Sequence, residues 1–100
     1  MAGRPYLYHY AAALAKSHKL CLAITRKELH TADFESSSKA SAWEQFAFNA
    51  DTLVLVTCVP LSSNKTYVHV LATSNGNAAA KKWAAHFMTK IKNSKMVMID

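Results

Sequence analysis

The chain is poor in the residues that break or staple a small fold. Its 100 residues include only 2 Gly, 2 Pro and 2 Cys. So little Gly and Pro excludes a collagen-like repeat or a flexible linker. The two thiols, Cys21 and Cys58, cannot build a disulfide framework or a four-sulfur zinc site. Both sit in apolar runs, where a free thiol behaves as a small hydrophobe, and a reducing, cytoplasmic setting is expected. No apolar run approaches the ~18 residues of a membrane span. Acidic residues are scarce as well. Twelve Lys and Arg face six Asp and Glu, for a formal charge of +6.

What is there is apolar surface. Hydrophobic residues make up 51% of the chain and charged residues 18%, too apolar a balance for disorder. A single basic domain over residues 1–100 follows, long enough to bury its own core. Arg4 ahead of the apolar stretch Tyr6 to Ala15 has the outline of a secretory leader. Tyr6, Tyr8, His9 and Tyr10 inside it argue against that reading.

The last helix is the clearest element. From Asn77 onward Ala80, Trp83, Ala84, Phe87, Met88 and Ile91 form one amphipathic stripe. Ser74, Asn75 or Asn77 can cap its start, and Asn93 can take a left-handed stop. Residues 52–59 and 65–73 read as strands, with Pro60 to Asn64 as the hairpin loop between them. Residues 95–100 read as a short terminal strand. Upstream, Leu20 to Arg26 reads as a strand. Ser41-Ala-Trp-Glu44 has capping-box spacing and opens a helix along Ala40, Trp43, Ala47 and Ala50. Residues 6–15 favour helix through Ala11–Ala15, while the alternating Tyr6, Tyr8 and Tyr10 would suit a fifth strand.

From residue 20 the order is strand, helix, strand, strand, helix, strand. This is the split β-α-β, ferredoxin-like arrangement, an α+β fold with an antiparallel sheet and two helices on one face. The fold carries no function with it. The strand at 52–59 is apolar on both faces, with Leu53, Leu55 and Val59 on one side and Val54, Val56 and Cys58 on the other. Strands of this kind are covered on both faces. The helix-free face therefore needs a cover, either the N-terminal segment or a second copy of the chain. A homodimer is expected, with Val54, Val56, Cys58, Tyr67 and Leu71 at its interface.

Catalytic signatures are absent. There is no G-x-x-x-x-G-K, G-x-G-x-x-G, H-E-x-x-H or G-x-S-x-G, and no C-x-x-C. No group of residues suggests a reaction, so neither an enzyme nor a cofactor is expected. His30 and Asp33 have a helical i, i+3 spacing without a third local ligand, so no metal site is assigned. Cys21, Cys58 and His69 would share a face in the ferredoxin-like order, either as packed thiols or as a reactive set.

Two weaker patterns suit a polyanion. Asn75, Gly76 and Asn77 open the last helix, whose free N–H groups can hold an anion, and Lys81 and Lys82 follow. Lys65, Tyr67 and His69 alternate on one strand, with Arg26 closing another, as in sheets that stack bases and neutralise phosphate. The segment lacks the Gly-rich octapeptide of an RNA-recognition motif. The leading expectation is a small homo-oligomeric binding protein that uses an apolar sheet face, toward a partner protein or an apolar small molecule. The alternative is a basic nucleic-acid or polyanion-binding module.

Overall fold

The β-branched run after residue 51 forms the middle of a sheet. The computed structural model describes residues 6–32, 34–36 and 43–95. Its elements are β1 (Tyr6–Leu14), α1 (His18–Thr31), β2 (Glu35–Ser36), β3 (Glu44–Phe48), β4 (Thr52–Ser62), β5 (Lys65–Ser74) and α2 (Asn77–Asn93). The strands form one antiparallel sheet in the order β1-β5-β4-β3-β2. An α+β class with both helices on one sheet face matches the expectation. The ferredoxin-like order does not hold, because three upstream segments adopt other structures.

The expected strand at 20–26 is part of α1. Its apolar run is continuous, so periodicity could not separate strand from helix. The helix buries Cys21, Ile24, Thr25 and Leu29, spaced by three and four. Ser17 caps it, its Oγ accepting from the Leu20 N–H at 3.1 Å. The expected helix over 41–50 is instead β3. Gln45 and Ala47 are buried while Phe46 and Phe48 lie opposite, a strand alternation. Residues 37–42 lie outside the described set, and with them the start of that expected helix. Trp43, placed on a helical core stripe by sequence, is 49% exposed.

The N-terminal segment is a strand and not a helix. It pairs with β5 from Tyr6↔Ser74 to Leu14↔Thr66. The alternating tyrosines match this pairing, which overrides the helix propensity of the alanines. As a fifth strand beside β5, this segment extends the sheet and does not cover its open face. Pro60 does not end β4; the strand runs to Ser62 across an irregularity, and Ser63–Asn64 make the turn. The expected terminal strand falls almost wholly on residues 96–100, outside the described set.

The α2 stripe is as expected, with Ala80, Ala84, Phe87 and Ile91 buried. No side chain caps its start, and it closes on Ser94 at φ −64°, so Asn93 takes no left-handed stop. Both helices pack on the face carrying Val54, Val56, Cys58, Val68, Val70 and Ala72, all of them fully buried. Gln45 ties β3 to α1 by donating from Nε2 to the Leu22 carbonyl at 2.9 Å. Thr66 Oγ1 donates to the Lys16 carbonyl at 2.8 Å, and Thr52 Oγ1 donates to Ser74 Oγ at 3.2 Å. These bonds satisfy the polar groups at the two ends of the buried face.

Phe87 is the largest fully buried side chain and meets Phe34 edge-on at 5.4 Å. Phe87→Ala is expected to cost about 3–5 kcal/mol of unfolding free energy in urea titration. Ser17→Ala is expected to cost about 1 kcal/mol through loss of the cap. A smaller loss for Phe87→Ala than for Ser17→Ala would contradict this placement of the core.

Candidate interaction surface

The sheet has a second face that neither helix touches. Its residues follow from the register. One cross-strand row runs Glu35, Phe48, Leu53, Thr73, Leu7. The next runs Phe46, Leu55, Leu71, His9, and the third Glu44, Thr57, His69, Ala11. Val59, Tyr67 and Ala13 form a fourth. Leu7, Phe48, Leu53 and Tyr67 are each more than two-fifths exposed. In the second row Leu55 and Leu71 are half-buried. Phe48, Leu53, Leu55, Leu71 and Leu7 thus run across the face as a series of partly or fully exposed apolar side chains.

The polar groups of this face are sorted by strand. Glu35 and Glu44 lie on the β2–β3 side. His9 and His69 lie on the β1–β5 side, where His69 Nε2 and His9 Nδ1 share a hydrogen bond at 3.2 Å. The rings meet edge-on at 5.1 Å. Lys65 stands at the hairpin end of β5.

The expected interface residues divide between the two faces. Tyr67 and Leu71 lie on the helix-free face. Val54, Val56 and Cys58 do not; they are fully buried beneath the helices. Val56 pairs with Val70 and Leu55 with Leu71, which decides the parity. Alternation alone could not choose, because β4 is apolar on both sides.

The expected anion-binding residues also separate. Asn75, Gly76 and Asn77 lead into α2, and Lys81 and Lys82 are exposed on it. Asn77 Oδ1 accepts from the Tyr8 hydroxyl at 2.7 Å, which ties the start of α2 to β1. Arg26 is exposed on α1. These residues belong to the helix layer, whereas Lys65, Tyr67 and His69 sit on the sheet face. Of the expected cations only Lys65 therefore shares a surface with Tyr67 and His69.

Sequence reasoning missed a groove between the helices. It encloses about 560 Å³ and is lined by Lys27, Glu28, Thr89, Lys90, Asn93, Ser94 and Lys95. A smaller neighbour of about 240 Å³ is bordered by Trp83 and His86. Only the relative packing of α1 and α2 creates these hollows, so no local motif signals them. Asp33 lies outside the described residues. Among those described, no group of three metal-ligating side chains comes together. No described helix is long and apolar enough to cross a membrane.

The thiols do meet, without His69. Cys21 Sγ and Cys58 Sγ are 2.8 Å apart in the core, and both are free. Thr25 Oγ1 donates to the Cys21 carbonyl at 2.8 Å and lies 3.8 Å from Cys58 Sγ. The hydrogen bond to Cys58, together with burial, pushes the Cys21 thiol far above its ordinary range. The same hydrogen bond, received by Cys58, holds that thiol lower.

His86 lies on α2 beside Trp83 and Phe87. Burial and then Lys90 hold it below its ordinary value, with Glu28 opposing and Lys82 adding to the depression. The unfolded chain then binds this proton more tightly than the folded one. The stability linked to His86 is complete above about pH 6.5 and falls as pH drops through the folded value. Urea midpoints compared at about pH 7.5 and about pH 5.5 should show a smaller acid loss for His86→Gln than for the parent. Equal losses would remove His86 from the acid response. The chain matches no protein-family model and no curated protein.

Proposed function

We propose that the protein is a homodimeric binding protein whose copies meet through the helix-free sheet face. The segregation of charge carries this reading. Lys19, Arg26 and Lys27 on α1 and Lys81, Lys82, Lys90 and Lys92 on α2 all belong to the helix layer. Glu35, Glu44 and Lys65 are the described ionised side chains at outward sheet positions. With +6 on the chain, two copies repel through their helix layers. Through the sheet faces they meet apolar rows, with the helix-layer cations turned away and Lys65 alone at the hairpin end.

The sorting of polar groups also suits a second copy. A two-fold axis parallel to the strands sets the β2–β3 side of one sheet over the β1–β5 side of the other. Glu35 and Glu44 of each copy then oppose His9 and His69 of its partner. Face-to-face sheets of this kind pack about 10 Å apart with inner side chains interdigitated. The two grooves described lie between the helices and not on this face. A protein surface therefore suits it better than an apolar small molecule. The polyanion reading retains the helix-layer lysines but loses Tyr67 and His69 as partners to them.

Light scattering after size exclusion at micromolar concentration is expected to give the mass of two chains. Leu55→Glu or Leu71→Glu should yield a folded monomer, weakening association at least about 100-fold by burying an unpaired charge. Lys81→Glu with Lys82→Glu should leave the dimer intact. A wild-type monomer would overturn the reading. Binding of labelled single-stranded nucleic acid that weakens steeply with salt and vanishes in the double lysine variant would favour the polyanion alternative.

A further inference from the structure

The buried thiol pair is the feature that neither the fold nor the sheet face uses. Cys21 lies in the second turn of α1 and Cys58 in the middle of β4. Their sulfurs, 2.8 Å apart, are well inside ordinary non-bonded contact and about 0.8 Å from the bonded distance of ~2.05 Å. Both side chains are fully buried. Thr25 closes over the pair from the next turn of the same helix. A core that wanted only two small hydrophobes would set their sulfurs at contact distance.

We propose that Cys21 and Cys58 form an intramolecular disulfide that joins α1 to β4, with a small-molecule disulfide such as oxidised glutathione as oxidant. The Cys58 thiolate attacks one sulfur of the oxidant and expels a small thiolate, leaving a mixed disulfide on Cys58. Cys21 then loses its proton and attacks the Cys58 sulfur, expelling the second small thiolate. The protein gives up two electrons and two protons. The oxidant takes both electrons, and its two leaving thiolates take up the protons. Because neither sulfur touches solvent, the exchange requires α1 to lift from the sheet or to dock last during folding.

The bond closes a loop across a sequence separation of 37 residues. That loop contains the rest of α1, β2 and β3, so the cross-link restricts the unfolded chain over more than a third of its length. The helix-free face lies on the other side of the sheet, so this proposal and the dimer stand or fall separately.

The test refolds the full chain from denaturant in oxidised glutathione, beside a sample in excess dithiothreitol. The expected product is lighter than the reduced chain by two hydrogen atoms. Its non-reducing peptide map should join the Cys21 and Cys58 peptides. Its melting temperature should exceed that of the reduced form by roughly 10 °C or more. Natively folded starting protein should oxidise faster in mild urea than in buffer, since opening of α1 admits the oxidant. Cys21→Ser should stop at the glutathione adduct on Cys58. The wild-type comparison stands without that variant should the variant fail to fold. Persistent free thiols, stable adducts on both cysteines, or an oxidised form that melts below the reduced one would overturn the proposal.

Discussion

Everything in this fold hangs on the antiparallel pairing of β4 with β5. That hairpin supplies the central strands of the sheet, and each later addition uses one of its edges or its inner face. β1 adds beside β5 and β3 beside β4. Val54, Val56, Val68 and Val70 give the helices a buried floor. The register Val56↔Val70 fixes which residues form that floor. A slip of β5 by one residue would set Leu71 beside Val56 under the helices and send Val68 and Val70 outward. One pairing thus determines both the core and the composition of the exposed face.

The parts of the fold that sequence made legible are those with one strong period. α2 shows a clean stripe of small and aromatic residues, and β5 alternates Tyr67, His69 and Leu71 against Val68, Val70 and Ala72. The upstream half lacks such discrimination. Leu20 to Ile24 is apolar at every position, and an unbroken apolar run suits a strand or a buried helix equally. Its helical state rests on the Ser17 cap and on docking against β4, and only the cap is local. β3 is short, and its Glu44, Gln45 and Ala47 are residues that favour a helix. It becomes a strand because β4 offers it a pairing edge.

The interaction surface was legible in outline and misassigned in detail. Two-sided hydrophobicity in β4 led to the expectation of a cover on the helix-free face. It could not say which side that was, so Val54, Val56 and Cys58 stood where Leu53, Leu55 and Val59 belong. The thiol pair was foreseen as a neighbourhood for a different reason. Sequence placed the two cysteines on strands either side of the one that carries His69. They meet instead because α1 lays Cys21 onto β4, while strand parity turns His69 to the opposite surface and toward His9.

The position of β1 has a consequence for how the chain comes to be folded. Tyr6 pairs with Ser74, and the whole of β1 pairs only with the last strand of the sheet. β1 therefore has no partner until synthesis has passed through β5, more than fifty residues further along the chain. Loop closure over such a separation is entropically costly, and contacts of this range slow folding. During that interval a tyrosine- and alanine-rich segment without an ionisable carboxylate or ammonium group stays open to pairing with other chains. The strand that completes the sheet is also the one through which a newly made chain is most exposed to misassembly.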